Sequence, residues 1–188
     1  MSVAGAPPDC AAIKPVVLSE EVRTALELPP VATNSRGPAV PFPPPLVFVA
    51  GYLGAWWLHR RLPFDIDGAG AGPVQVGLGA LLLAGGLALV GWGMVTFLNG
   101  RTPIMPIRPA RALVTSGPYR FTRNPMYVGL TALYVGVALL ANLAWPMVLL
   151  PAVLLAMNAL VIGREERYLL AEFGETYEAY CKARRRWL

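Results

Sequence analysis

Two stretches without a single formal charge constrain this chain more than any other feature. No Asp, Glu, Lys or Arg occurs at positions 68–100 or at positions 124–163, runs of 33 and 40 residues. A helix that crosses the hydrocarbon core of a bilayer needs roughly 20 apolar residues. The first run therefore has room for one crossing and the second for two. Composition agrees: soluble domains carry about 25% charged residues, whereas this chain of 188 has 14%, with 55% apolar residues and a mean hydropathy of +0.50. Too few polar side chains remain to cover it in water, and it reads as a small all-α multipass membrane protein.

The apolar pattern places four spans. The first covers about 42–58, entered through Pro43, Pro44 and Pro45 and left through Trp56, Trp57, His59, Arg60 and Arg61. That exit has the look of an interfacial aromatic belt with snorkelling cations. The second covers 74–98, with Gly72, Gly79, Gly86 and Gly93 recurring every seven residues; a stripe of small residues lets another helix approach closely. The third, 125–141, and the fourth, 145–163, are separated only by Asn142-Leu143-Ala144, which predicts an antiparallel hairpin, and Pro151 predicts a kink in the fourth. Residues 1–40 read as a disordered proline-rich tail, 63–73 as a flexible loop, and 41–188 as one membrane domain ending in a C-terminal segment, 164–188.

Lys and Arg number three in the tail, two between the first and second spans, five between the second and third, none between the third and fourth, and six after the fourth. The positive-inside rule then puts both termini and the 99–124 loop in the cytoplasm. A pI near 9.6 follows from this bias towards an anionic leaflet and does not call for nucleic acid. Cys10 and Cys181 lie near opposite ends without ligand spacing, and His59 is the single histidine, so protein-ligated metal or redox chemistry is not expected.

Polar chemistry concentrates in two stretches, Ala112 to Tyr127 and Arg164 to Tyr180. Each has a plain structural reading. Asn124 suits an N-cap and Pro125 the first turn of a helix, and Leu169, Leu170, Phe173, Tyr177 and Tyr180 suit one face of an amphipathic helix turned to lipid or to the core. Their order supplies a second reading. Leu113-Val114-Thr115-Ser116-Gly117-Pro118-Tyr119, then Arg123-Asn124-Pro125-Met126-Tyr127 opening a helix, then Glu165-Glu166, then Phe173-Gly174-Glu175-Thr176-Tyr177 succeed one another around the helical hairpin. From Phe97 to Leu188 the chain resembles the integral-membrane methyltransferases that include isoprenylcysteine carboxyl methyltransferase and the phospholipid methyltransferases. Asn124 stands where the best-known members carry histidine; Asn keeps a donor and an acceptor but does not titrate near neutral pH.

The resemblance implies about four transmembrane helices and a cytoplasmic pocket for S-adenosylmethionine closed by the C-terminal helical segment. Carried over by motif, the cofactor contacts are Leu113, Val114, Tyr119, Asn124, Pro125, Met126, Tyr127 and Glu165; Arg123 and Glu166 belong to the same motif, and Arg111 and Ala112 lie at neighbouring contact positions. The methyl acceptor implied is lipophilic and enters from the bilayer: an isoprenylcysteine-type carboxylate, a phospholipid amine, or a small hydrophobic thiol or acid. The donor set suits this cofactor. Glu165 can accept from its ammonium, Asn124 and amides at a helix N-terminus can meet its carboxylate, and Tyr119 and Tyr127 can border the adenine or sulfonium. The alternative is a non-catalytic membrane assembly or scaffold protein that keeps the same fold.

Overall fold

The computed structural model of the chain describes residues 40, 42–100, 110 and 112–187. Of the expected tail, only Val40 falls within them, and Arg101, Arg108 and Arg111 lie outside. The described residues form an all-helical protein: α1 (Pro45–Arg61), α2 (Pro73–Asn99), a 3₁₀ turn (Gly117–Arg120), α3 (Pro125–Leu140), α4 (Ala144–Met157), a π turn (Asn158–Ile162) and α5 (Gly163–Ala183). Proline stands within the first two positions of α1, α2 and α3, where no intrahelical N–H bond is lost. At the far end of α1, Arg60 and Arg61 lie over the rings of Trp56 and Trp57 at 5.0 and 5.4 Å.

Two helices are long and apolar enough to cross a membrane, Pro73–Asn99 and the continuous helix Ala144–Ala183. The fourth helix runs on beyond 163, because the backbone stays helical through the π turn into α5 and continues past Gly174, whose φ of 48° bends it. The helix also runs on through Pro151 without the N–H bond that proline lacks, and a π turn follows at Asn158–Ile162. α1 and α3 have 17 and 16 residues, which at 1.5 Å per residue gives about 25 Å of helix each.

The glycine stripe is the seam between α2 and α3. A Cβ on Gly86 would meet the Gly129 carbonyl at 2.8 Å, and one on Gly136 would meet the Gly79 carbonyl at 2.9 Å. Gly79, Gly86 and Gly93 are buried in α2, while Leu81, Leu87, Val95 and Leu98 point outward. Small residues inside and large apolar ones outside is the pattern expected where lipid surrounds the helix. α1 packs on α4 with a close approach too: a Cβ on Gly51 would run into Val153 Cγ2. Between the two pairs, Tyr134 takes edge contacts from Phe48 and Tyr52, and Met157, Val161 and Ile162 complete a buried core with Val40, against which Trp187 packs.

The 62–72 loop is tied down rather than free. Asn142, in the left-handed region at φ 56°, accepts from the Asp67 amide (3.1 Å) and donates to its carbonyl (2.8 Å). Gln75 Nε2 reaches Asn142 Oδ1 (2.9 Å), and Trp145 Nε1 donates to Leu62 (2.7 Å). This stitching closes one end of the bundle. At the other end the C-terminal strand of chain, 184–187, pairs with the segment before α3 through the Thr122–Arg185 bridge.

Candidate functional site

A cavity of about 340 Å³ lies at that second end. It lies between the 112–127 stretch, the end of α2, the start of α1, and α5. Leu113, Val114, Tyr119, Arg123, Asn124, Met126, Tyr127, Glu165 and Glu166 all line it, and so does Ala112. Pro125 does not; it is packed under the first turn of α3. Two polypeptide stretches about 40 residues apart in sequence therefore meet on one wall, because the α3–α4 hairpin returns the chain to the end from which it left.

Glu165 enters from the first turn of α5 and receives the Tyr127 hydroxyl on Oε1 at 2.6 Å. Burial pushes its carboxyl up to about 7, the Tyr127 bond pulls it down, and the neighbouring Glu166 pushes it up again. Glu165 thus changes charge near neutral pH, which a solvated carboxylate does not. Glu166, by contrast, is engaged within the protein. It accepts from Arg123 Nη1 (3.0 Å) and from both Nε (3.0 Å) and Nη2 of Arg186. Arg123 also reaches Cys181 Sγ at 2.8 Å.

Asn124 begins α3 without capping it through its side chain. Its Nδ2 instead donates to the Arg186 carbonyl (2.9 Å), which also receives the Thr122 hydroxyl (3.1 Å), and the Arg123 amide donates to the Arg185 carbonyl (2.9 Å). A carbonyl can only accept, so the side-chain amide of Asn124 is oriented by this bond and its Oδ1 is left as an acceptor.

Tyrosines make the remaining polar edge. Tyr119 stacks edge-on against Phe97 at 5.2 Å and its carbonyl accepts from the Tyr180 hydroxyl at 2.6 Å. Burial, then the charge of Glu165, holds the Tyr119 phenol far above its usual range; burial also lifts Tyr180 to about 12, although Arg123 and Arg184 pull it back. All remain neutral donors at physiological pH. Tyr168 accepts from the Ala110 amide at 2.9 Å. The amphipathic face expected on α5 turns to protein: Leu170, Tyr177 and Cys181 are buried together with Leu113, Leu169, Phe173 and Tyr180 packed on them.

Sequence reading missed Phe97, Tyr168, Leu169, Tyr177 and Tyr180 as cavity residues, and with them the apolar lining from Pro43–Pro45, Val90, Met94 and Leu130. The spacing of Tyr177 and Tyr180, three residues apart on a helix, was the available signal for a shared face. Nothing in the sequence pointed to Arg186, which counted only as one of the six cations after the fourth span.

The donor set fits S-adenosylmethionine. One carboxylate that titrates near neutrality faces a cavity with neutral phenols, an oriented amide and apolar walls, which matches an ammonium, a purine and a sulfonium. Among the described residues no group of His, Cys, Asp and Glu could hold a metal ion.

The family model for phospholipid methyltransferase matches residues 74–176, more than half of the chain, including the cavity residues from Val90 to Leu169. No curated protein and no solved structure matches.

Proposed function

The chain belongs to the phospholipid methyltransferase family, and we propose that it is an integral-membrane enzyme that moves a methyl group from S-adenosylmethionine to a lipophilic acceptor. The observation that carries this reading is the composition of one cavity. Glu165, Asn124 and Tyr119 give it polar lining, and Val90, Met94, Leu130 and Pro43–Pro45 give it apolar lining.

In this reading Glu165 accepts from the ammonium of the cofactor, and Asn124 with the amides at the start of α3 hold its polar groups. Leu113, Val114 and Met126 pack on the adenosine, while Tyr119 and Tyr127 border the adenine or the sulfonium. Pro125 acts from beneath by fixing the first turn of α3. Arg123 and Glu166 position the wall. The cofactor supplies an activated methyl on a positively charged sulfur. Transfer is an in-line displacement, so the protein's part is to orient the two reactants and exclude water. The buried tyrosines and apolar walls do the latter. The tail of the acceptor lies against the apolar lining while its nucleophilic head, an amine, thiol or carboxylate, meets the polar groups.

The topology proposed with it has four crossings. α1 and α3 complete a bundle with the two long helices, their roughly 25 Å lengthened at the interface by flanking prolines, tryptophans and arginines. Both termini and the cavity face the cytoplasm. A scaffold role would draw on the glycine stripe of α2, but α3 already fills that stripe.

Calorimetry on detergent-purified protein tests the reading, with radiolabelled methyl transfer to total membrane lipids as its companion. Cofactor binding together with labelled lipid is the expected result. Absence of binding from pH 6 to 9 removes the proposal.

A further inference from the structure

The α2–α3 pair repeats one contact along its length. Leu140, Leu133 and Met126, seven residues apart on α3, sit on Gly79, Gly86 and Gly93, seven apart on α2. A Cβ on Gly79 would meet Leu140 Cγ at 2.9 Å, one on Gly86 would meet Leu133 Cγ at 2.9 Å, and one on Gly93 would meet Met126 Cγ at 2.6 Å. At the first two positions main chain is equally close, the Gly136 carbonyl lying at 3.1 Å and the Gly129 carbonyl at 2.8 Å. Gly93 differs. The next atoms that its Cβ would reach are Met126 Sδ at 3.4 Å and the Tyr119 hydroxyl at 3.6 Å, both from side chains.

Those two side chains are cavity wall. Val90 and Phe97, three residues before and four after Gly93 on the same face of α2, line the cavity together with Met126 and Tyr119, whereas the buried Gly93 does not. Met126 therefore stands between Gly93 and the open volume. A leucine wedged against main chain has little room to yield, but methionine is unbranched and turns about three bonds. A methyl group at position 93 would push Met126 from behind, towards the open volume.

We propose that Gly93 is a positioning residue: by carrying no side chain it lets Met126 lie back against α2 and keeps the cavity wide enough for the adenosine part of the cofactor. The effect on binding rests on the reading in which Met126 packs on the adenosine, whereas the contact between Gly93 and Met126 does not. The glycines of one stripe thus divide their work. Gly79 and Gly86 bring the two helices together, and Gly93 sets the shape of the site at the end of the seam.

The contact is read without cofactor, from the methionine methyl resonances of detergent-purified protein labelled with ¹³C-methyl methionine. The Met126 signal is the one lost in Met126→Leu. Gly93→Ala should displace it, and Gly91→Ala, whose methyl meets nothing within 4 Å, should leave it in place. Calorimetry with S-adenosylmethionine then reads the consequence. Affinity should fall roughly tenfold in Gly93→Ala, within the range that overpacking costs. Gly86→Ala, two turns away on the same seam, should melt lower yet bind as the parent does. In a Met126→Ala background, where no Cγ stands in the way, Gly93→Ala should cost no further affinity. A Met126 signal unmoved by Gly93→Ala overturns the inference, and so does parental affinity in Gly93→Ala, an equal loss in Gly86→Ala, or a further loss in the double variant. Should Gly93→Ala fail to fold, recovery of folding by Met126→Ala supports the inference and a double variant that also fails decides against it. A displaced Met126 signal in a protein whose parent binds no cofactor condemns the proposed function and leaves the contact standing.

Discussion

The Tyr127 hydroxyl donates to Glu165 Oε1 at 2.6 Å, joining the first turn of α3 to the first turn of α5. The bond links the two motif stretches and bears on the charge of the carboxylate, since it lowers where Glu165 titrates, against the upward push of burial and Glu166. Removing it should act on both stability and binding. Tyr127→Phe leaves a buried carboxylate short of one donor, a loss of about 1–3 kcal/mol, and moves the onset of cofactor binding to higher pH. Thermal unfolding and calorimetry at several pH values read the two effects; a binding profile that stays in place separates Tyr127 from the charge of Glu165.

Glu165→Gln keeps the shape and removes the charge. A charge-assisted hydrogen bond contributes about 1.5–3 kcal/mol, so affinity for S-adenosylmethionine should fall roughly 10- to 150-fold. Glu175→Gln, on an exposed part of α5, should bind as the parent does. Equal affinity in all three proteins removes Glu165 from the cofactor site.

The titration of Glu165 has a sign in each state. Its folded value lies near 7 against an ordinary 4.5, so between those values the folded protein holds a proton that the unfolded chain has released. Stability without cofactor is then fully present below the ordinary value and declines as pH rises through about 7. Cofactor affinity runs the other way, rising through the same window as the carboxylate forms. A melting temperature that falls with pH without cofactor, and a cofactor-induced rise that grows with pH, are the paired outcomes expected. Glu165→Gln should flatten both.

The α2–α3 seam makes a sharper claim about adjacent glycines. A methyl on Gly86 meets the Gly129 carbonyl at 2.8 Å, whereas one on Gly85 meets nothing within 4 Å. Gly86→Ala should destabilise the protein by about 1–3 kcal/mol through overpacking, and Gly85→Ala should be neutral or mildly stabilising through helix propensity. Unfolding in detergent distinguishes them, and equal melting temperatures would show that the seam is not as tight as described.

Sidedness is open to labelling, although Cys181 is no reporter because it is 1% exposed. In a Cys10→Ser background, Ala69→Cys should react with an impermeant reagent in intact cells, and Ala179→Cys should react only after permeabilisation. Both positions are exposed in the fold. The reverse pattern inverts the proposed orientation.

Helix starts were legible because proline marks them chemically; α2 and α3 begin within a residue of expectation at Pro73 and Pro125, and α1 at the last of its three prolines. The end of the fourth helix was not, since charged residues such as those from Arg164 onward do nothing to stop a helix. The tethering of the 62–72 loop was equally hidden, because Asn142 and Gln75 lie far from Asp67 or from each other in sequence and polarity alone does not name a partner. At the site, motif order brought together Leu113, Tyr119, Asn124, Tyr127 and Glu165. The division of labour between Glu165 and Glu166 required knowing where two arginines end up, one of them twenty residues away.

The π turn at Asn158–Ile162 also fixes the angular phase of α5. Such a turn accommodates one extra residue in an α-helix, and one residue corresponds to about 100° of rotation. Glu165, Tyr168 and Tyr177 face the cavity on the far side of that offset. Deleting a single residue from Asn158–Ile162 would let the helix regularise with all three still on the cavity side, because the turn had already absorbed the surplus residue. A one-residue deletion is therefore tolerable ahead of Glu165, whereas the same deletion between Glu165 and Tyr168 would part them by about 100° around the helix.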